Sequence, residues 1–521
     1  MIKMKAAEDL SKELKEISVA EFFEKNRHLL GYENSTRALI TIVKEAVDNS
    51  LDACEEAGIL PEIKVSLKEL EDSVFKITVE DNGPGIIEDK VHLAFGKLLY
   101  GSKFHRLRQS RGTQGIGISG AILYSQLTTG KPIRISSSTG KKINTIEMLI
   151  DVVKNAPSII SQQGESNQKK WHGIKIEMQA KGRYIEGFQS IIEYLRQTAI
   201  MNPYAKIIFK TPNDHQHTFS RVINKLPPKP KEIKPHPYGV EIGILRRMIQ
   251  TTKSKNILSF LMRDFSRVGK RSATQILKLA KIDNKKKPHS LTHDEIDKIH
   301  NAMHLVKLIA PPTDCLSPVG DEELKKGLEK EIKAEHYVSV SRPTSVYRGM
   351  PFSVECALAY GGDLENTRRV NVLRFANKVP LLYNQGDCAI TKAVVQTDWR
   401  RYGISQSFES LPNGPLAILV HFVSAWVPYT SEGKQAIASY PEIIKEIKLA
   451  LQDAGRKMKL YISKRRRKQQ MKMRQNLFEK YIPEVSEGIS KISETSKEKI
   501  RTGLEKILES GAKKYEKEDQ D

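Results

Sequence analysis

One short segment, KEAVDNSLDA, carries acidic and amide side chains whose spacing suits the activation of a water molecule. Apolar residues recur through it at helical spacing, so we predict an amphipathic helix. Glu45, Asn49 and Asp52 lie at i, i+4 and i+7 and would share the opposite face of that helix. A carboxylate one turn from an amide can hold a water and a hydrated magnesium ion side by side, with Glu45 as general base and Asn49 as an oxygen ligand of the metal. Asp52 would either orient these neighbours or be an ordinary surface acid.

Two further segments have the composition of ligand-binding turns. The strand-like run Val74–Val79 is followed by an Asp-Asn-Gly-Pro-Gly turn, which leaves Asp81 at a strand end and, at Gly85, lets backbone approach a flat ligand. The glycine-rich stretch Arg111–Ala121 runs into an apolar helix, and its backbone N–H groups can cradle phosphates. Each segment alone is a common pattern, so the signal lies in the order and spacing of all three.

In this order, the three segments resemble the motifs of the GHKL (Bergerat-type) ATPase superfamily, which includes gyrase, the histidine kinases and MutL. The resemblance implies an ATP site in which Glu45 is the base and Asn49 binds Mg²⁺. It also implies that Asp81 accepts a hydrogen bond from adenine and that Gly85 lets the base pack against backbone. The residues implied around the phosphates, mostly through backbone N–H groups, are Ser102, Lys103, Arg111, Gly112, Thr113, Gln114, Gly115, Ile116, Gly117 and Ile118.

Three longer stretches bring the resemblance closer than superfamily level. They resemble the B subunits of type IIB DNA topoisomerases (topoisomerase VI), and they read YGSKFHRLRQSRGTQGIGISGA, LRFANKVPLLYNQGDCAITKAV and HFVSAWVPYTSEGKQAIASYP. In that family a lysine of the transducer domain enters the ATP site and touches the γ-phosphate, which implies a catalytic role for Lys434. The family's usual Gly-Thr is Gly173-Ile174 in this chain, so the contact of that threonine hydroxyl is missing.

The same resemblance implies the partners. The DNA-cleaving tyrosine of the family resides on a separate A subunit, so this chain alone should not cut DNA. Two copies would dimerise on ATP through an N-terminal strap and close around double-stranded DNA. They would pass the change to two A subunits in a heterotetramer, which relaxes or decatenates DNA.

Composition limits the class of protein. The 521 residues carry a formal charge of +23 in clusters, which favours a polyanion such as nucleic acid as partner. No run of about 18 apolar residues occurs and the charged N-terminus has no apolar h-region, so we expect no membrane contact and a cytoplasmic, nucleoid-associated location. The four scattered cysteines indicate reduced thiols rather than a structural zinc site.

Shifts in composition divide this chain of mixed α/β (α+β) class into regions. A proline-rich linker, Leu226–Gly239, separates an alternating strand and helix pattern from an all-helical stretch. A second α/β region then ends in a long basic helix from about Pro441 to Arg474. With the resemblance, the predicted domains are a Bergerat-type ATPase sandwich with an N-terminal strap (1–225), a helix-two-turns-helix domain (226–308), a transducer of ribosomal-protein-like α/β fold with the long helix (309–475) and a charged tail (476–521).

Other classes fit these residues less well. A histidine kinase would need a dimerisation helix with a phospho-accepting histidine, and the sequence before the ATPase motifs has none. A MutL-like repair protein or a chaperone would lack FANKVPLLYNQGD and the helical insert, whereas a non-catalytic DNA-binding scaffold would lack an intact ATP site. Two interpretations of the helical insert stay equal: its basic turn around Gly269 contacts the DNA backbone, or the insert is a small spacer with a basic surface.

Overall fold

The computed structural model describes residues 16–71, 73–103, 106–112, 115–366, 370–431, 433–493 and 495–518. Thr113 and Gln114 of the predicted phosphate loop lie outside these ranges, as does the part of the predicted N-terminal strap before residue 16. The described residues form two compact units. One contains the residues up to Thr397 together with Ser407–Ala454, and the other contains Asp398–Gln406 with the residues from Gly455 onwards.

The described strands of the N-terminal region form one mixed sheet covered by helices. The strands are β1 Glu62–Glu71, β2 Val74–Asp81, β3 Ile133–Thr139, β4 Lys142–Asp151, β5 Ala156–Ser166, β6 His172–Lys181, β7 Lys206–Lys210 and β8 Gln216–Phe219. The helices are α1 Val19–Lys25, α2 Ser35–Ala57, α3 Glu88–Gly96, α4 Gly117–Thr129 and α5 Ile191–Met201. In space the strands follow the order β5-β4-β3-β6-β2-β1-β7-β8, and only the β1–β7 pair is parallel among these described strands. Helices α2, α4 and α5 share one apolar core with the sheet, which confirms the predicted α/β sandwich.

Helix α2 is the element that positions the predicted base. Asn34 caps its start by accepting a hydrogen bond from the N–H of Arg37 at 2.9 Å, and Gly58 ends it with a left-handed φ of 75°. Val43 and Val47 lie one turn apart on its inner side and are fully buried in the core. The amphipathic helix predicted from the spacing of apolar residues is therefore confirmed, and its polar positions are left to form a site.

The region after the proline-rich linker is helical throughout. Its α-helices are α6 Ile242–Thr251, α7 Ile257–Asp264, α8 Lys270–Ala280 and α9 His293–Leu305. Together they enclose an apolar core drawn from this region alone. Gly269 precedes α8 with open space around it, and Arg267, Lys270 and Arg271 beside it are all exposed. The predicted basic turn is therefore on the surface, where a phosphate can reach it.

The second α/β region is built on another mixed sheet. The strands here are β9 His336–Ser341, β10 Ser345–Tyr347, β11 Met350–Tyr360, β12 Asn371–Ala376, β13 Val379–Pro380, the short β14 Ser405–Gln406 and β15 Pro412–Asn413, and β16 Leu416–Ser424. The helices are α10 Asp321–Glu331 and α11 Ala389–Gln396. The spatial order is β10-β11-β16-β12-β13, with β9 also paired to β11. Ile200 and Met201 pack into the core of this sheet, so the end of α5 joins the two α/β regions within one compact unit.

The long basic helix extends further than predicted. We expected it to end near Arg474, but α12 spans Pro441–Ser493 and is followed by α13 Lys497–Glu518. The predicted end of this helix was wrong because the stretch beyond Arg474 consists largely of strong helix formers; of the two alternatives for the charged tail, helical or partly disordered, the described residues are mostly helical. Pro483 lies inside α12, and the Ser486 hydroxyl donates a hydrogen bond to its carbonyl at 2.9 Å.

The cysteine thiols are all free and buried: Cys54, Cys315, Cys356 and Cys388. Burial raises the pKa of the Cys54 and Cys315 thiols to about 12. Within the described ranges, no cluster of three or more histidine, cysteine, aspartate or glutamate side chains could hold a metal ion. The same ranges contain no helix that is both long and apolar enough to cross a membrane.

Candidate active site

Several segments of the chain surround one cavity of about 590 Å³, a volume typical of small-ligand sites. They include helix α2, the turn after β2, the glycine-rich loop before α4, and a loop after β16 in the second α/β region, and further lining comes from residues 100–103 and from Pro380, Leu382 and Tyr383. The predicted site residues that line the cavity are Glu45, Asn49, Asp81, Gly85, Ser102, Lys103, Gly112, Gly115, Ile116, Gly117, Ile118 and Lys434. Segments far apart in the sequence thus meet at one place.

Asp81 is held rigidly at the end of β2. Its Oδ1 accepts hydrogen bonds from the backbone N–H groups of Gly83 at 2.8 Å and Ile174 at 3.0 Å. Its Oδ2 accepts one from the Ser50 hydroxyl at 2.7 Å. Burial raises the pKa of the Asp81 carboxyl. A carboxylate has about four acceptor sites, so capacity remains for the amino group of a bound base.

Ser50 is a residue that sequence reasoning missed. Ile174 occupies the position where the related family usually has threonine, and it contributes a backbone N–H to Asp81 instead of a hydroxyl. The hydroxyl that does reach Asp81 comes from Ser50, on helix α2. The sequence feature that could have indicated Ser50 is its position directly after Asn49, on the helix predicted to carry the site.

Gly85 is required by the fold itself. Its φ is 70°, and a Cβ atom there would lie 2.1 Å from the carbonyl oxygen of Ser138. The close approach of β3 therefore explains this glycine without a ligand. Gly85 also lines the cavity, so the predicted contact with a base stays a prediction.

Glu45 lies directly against the glycine-rich loop. A Cβ atom on Gly117 would come within 1.9 Å of Glu45 Oε2, so a larger residue at 117 would force the Glu45 side chain or the loop to move. Burial alone would raise the pKa of the Glu45 carboxyl, but the cationic Lys434 and Lys44 side chains lower it below its usual value. Glu45 is consequently an ionised carboxylate at neutral pH, as a general base requires.

Asn49 is exposed toward the cavity one turn from Glu45. A Cβ atom on Gly112 would lie 3.9 Å from Asn49 Oδ1, which is ordinary contact distance and leaves the amide accessible. An accessible amide oxygen beside a carboxylate is a donor set that suits Mg²⁺. The residues present therefore fit the predicted metal and nucleotide.

Lys434 reaches the cavity from the second α/β region. Its side chain is buried, and its Nζ donates a hydrogen bond to the backbone carbonyl of Arg111 at 3.1 Å. It also lies close enough to Glu45 to lower the pKa of that carboxyl. A lysine more than 300 residues from the glycine-rich loop in sequence is thus brought beside it.

The side chains of Arg111 and Lys103 engage carboxylates of helix α2. The guanidinium of Arg111 pairs with Asp52 at 2.7 Å and Glu55 at 2.5 Å, and it does not line the cavity. Lys103 lines the cavity, but its Nζ lies 2.5 Å from Asp52. Burial works against the charge on Asp52, yet Lys103 and Arg111 hold the pKa of its carboxyl well below the usual range. Asp52 therefore orients its neighbours, and its interpretation as a surface acid was wrong.

The chain is similar in sequence to proteins of known family. Residues 34–152 match the family model of the histidine kinase-, DNA gyrase B- and HSP90-like ATPases, and residues 311–474 match that of the topoisomerase VI B subunit transducer. The chain is 46% identical to the B subunit of type 2 DNA topoisomerase 6 from Archaeoglobus fulgidus, over 92% of this chain and 80% of that protein. It is 42% identical to the corresponding protein of Pyrococcus horikoshii, over 97% of each chain. A solved ATPase domain of Thermus thermophilus gyrase B matches at a TM-score of 0.39 and 13% identity, over 86% of this chain and 91% of that one.

The fold and the cavity define an ATPase of the GHKL class. More narrowly, the chain belongs to the family of type 2 DNA topoisomerase 6 B subunits, the ATPase subunits of type IIB topoisomerases. That membership decides against a MutL-like repair protein or a chaperone.

Gly117→Ala is expected to lower the rate of ATP hydrolysis by ~10²-fold, because the added methyl group displaces Glu45 or the loop. Nucleotide binding through Asp81 should survive, which a fluorescent ATP analogue can measure beside the hydrolysis rate. Gly243→Ala is the matched control, since open space surrounds that glycine. A parental hydrolysis rate in Gly117→Ala would contradict the packing of the loop on Glu45.

Proposed function

We propose that this chain binds and hydrolyses ATP in the cavity between its two α/β regions, as the ATP-operated clamp of a type IIB topoisomerase. The observation that carries the proposal is the meeting of Glu45, Asn49 and Lys434 in one cavity beside the glycine-rich loop. Hydrolysis needs an oriented water, a metal ion on the phosphates and positive charge where charge develops on the γ-phosphate. Glu45 orients the water, Asn49 is the ligand of the metal ion, and Lys434 supplies the positive charge.

Each side chain has one role in this mechanism. Glu45 takes a proton from the attacking water, since it is ionised and lies against the loop. Asn49 would hold Mg²⁺ through its amide oxygen, and Asp81 would accept a hydrogen bond from the adenine amino group. The backbone N–H groups around Gly115 and the first turn of α4 face the phosphates, which is the usual place for anions at a helix start. Lys434 donates its charge to the γ-phosphate.

The proposal extends to partners. Two copies dimerise on ATP through the N-terminal strap, capture a DNA duplex and signal to two A-type subunits that carry the cleavage tyrosine. The exposed cations around Gly269 and the Arg465–Lys468 run support a DNA partner, because clustered cations neutralise phosphates. DNA as partner would place the complex at the nucleoid, in the cytoplasm.

Glu45→Ala is expected to keep nucleotide binding but lose ~10²–10⁴-fold in hydrolysis rate, the usual contribution of a general base. Asn49→Ala should instead weaken nucleotide binding only when Mg²⁺ is present. Isothermal titration with and without EDTA separates the two effects. Parental hydrolysis in Glu45→Ala would remove it as the base, and an unchanged magnesium-dependent affinity in Asn49→Ala would remove it as a metal ligand.

The clamp function is tested by reconstituting the chain with an A-type subunit and measuring ATP-dependent relaxation of a supercoiled plasmid. Lys434→Ala is expected to lose hydrolysis and relaxation together, since its contact with the γ-phosphate exists only in the triphosphate state. Lys434→Gln should fail too, because a neutral amide supplies no charge. Normal relaxation by Lys434→Ala would contradict the coupling role, and no relaxation by the parental complex would contradict the proposed function.

DNA should stimulate ATP hydrolysis, and DNA affinity should fall steeply between roughly 50 and 200 mM salt as phosphate contacts release counterions. Replacing Lys270 and Arg271 by glutamate should weaken DNA binding and flatten its salt dependence. The control exchanges Lys141 and Lys142, an exposed basic pair of the ATPase region. If DNA affinity falls equally in the two double variants, or in neither, the DNA contact lies outside the helical insert, and the interpretation of the insert as a spacer is favoured.

A further inference from the structure

The turn between β12 and β13 holds two adjacent residues in the left-handed region. Asn377 has a φ of 48° and Lys378 a φ of 68°. Tight hairpin turns with this backbone favour Asn-Gly, because glycine has no Cβ to clash. A lysine at the second position is strained where glycine is not, and strained backbone positions are found more often at functional sites.

The Lys378 side chain is buried and ends against the ATPase region. Its Nζ lies 3.6 Å from Glu55 Oε2 on helix α2 and 3.4 Å from the hydroxyl of Tyr204. Burial lowers the pKa of the Lys378 ammonium group, and the nearby Glu55 carboxylate opposes that shift. A buried charge is tolerated only with a partner, so Lys378 and Glu55 fix each other's position.

Glu55 transmits this restraint to Arg111. Its Oε1 accepts a hydrogen bond from the Arg111 guanidinium at 2.5 Å, while Oε2 faces Lys378. The backbone carbonyl of Arg111 is the atom to which Lys434 donates. A continuous chain of contacts therefore runs from one lysine of the second α/β region, through α2 and the loop, to the other lysine.

The segment preceding the glycine-rich loop forms two further hydrogen bonds with the second α/β region. The Asn377 amide donates a hydrogen bond to the carbonyl of Ser110 at 3.1 Å. The Gln109 amide donates one to the carbonyl of Ser317 at 3.2 Å. The β12–β13 turn thus touches the loop both directly and through Glu55.

We propose that Lys378 is a positioning residue for ATP hydrolysis, an inference that rests on the function proposed above. It lies outside the cavity lining and acts through Glu55 and Arg111 on the carbonyl that receives Lys434. Its ammonium group keeps the loop in the one arrangement that lets Lys434 enter the site. Hydrolysis then depends on two lysines of the second region, of which only Lys434 meets the nucleotide.

The test uses the full chain with Lys378→Met, which keeps the stem and removes the charge, and Lys378→Gly, which suits the turn. Both variants should lower kcat for ATP hydrolysis by about three- to thirtyfold, the range of single links in a coupling network. The affinity for a non-hydrolysable ATP analogue should change by less than about twofold, because the Asp81 end is untouched. Amide exchange at residues 110–112 should become faster in both.

Two further variants separate positioning from a general loss of charge or fold. Lys333→Met removes an exposed lysine from the same region and should leave kcat, affinity and exchange at parental values. Glu55→Gln should lower kcat as Lys378→Met does, and combining the two should add nothing, because contacts in one chain are not additive.

Parental kcat in both Lys378 variants would overturn the inference, as would full additivity with Glu55→Gln. It would equally be overturned if Lys378→Gly lowered the unfolding temperature and analogue affinity together, since that is a structural role. Absence of ATP hydrolysis by the parental chain would refute the proposed function instead. Parental hydrolysis with unaffected Lys378 variants would refute this inference alone.

Discussion

The burial of the Arg111 guanidinium between Asp52 and Glu55 is the constraint on which the site depends. A buried guanidinium is tolerated only if its charge is matched, and both carboxylates that match the charge of Arg111 come from one helix. The two ion pairs of Arg111 consequently fix the position of its loop along helix α2. The position of this loop places Gly117 against Glu45. It also places the backbone carbonyl of Arg111 where it accepts a hydrogen bond from Lys434 of the second α/β region.

The two ends of the cavity are built in different ways. The base end rests on Asp81, a strand-end carboxylate held by Ser50 and two backbone N–H groups that all belong to the first sheet and its helices. The phosphate end is made from loops of both α/β regions, which meet through Arg111 and Lys434. In the proposed mode of binding, the contacts of Asp81 with the base involve the first region alone, whereas the contacts with the phosphates involve both regions. An ATPase that transmits work needs this division, because a ligand shifts an equilibrium only through contacts that differ between states.

Local patterns predicted most of the fold, and they predicted cavity-lining residues where these residues lie on one element. Helix α2 follows from its apolar spacing, and the spacing placed Glu45 and Asn49 on its polar side. Lys434 was assigned only by family resemblance, since one lysine among 85 basic residues has no local signal. The roles of Asp52 and Lys378 depend on pairing between distant segments, which periodicity does not contain. Asn377-Lys378 lacks the glycine that marks a tight hairpin turn in a sequence, so only the backbone angles reveal that the lysine occupies a glycine position.

The state of the thiols has a practical consequence for following this molecule at work. The thiolate is the form that attacks alkylating and spin-label reagents, and burial raises the pKa of the Cys54 and Cys315 thiols to about 12, so both stay protonated at pH 8. All the native thiols are also shielded from bulk solvent. A cysteine introduced on the surface would therefore react far ahead of the native ones. Distances between chosen points on the chain can then be tracked spectroscopically in the otherwise natural sequence.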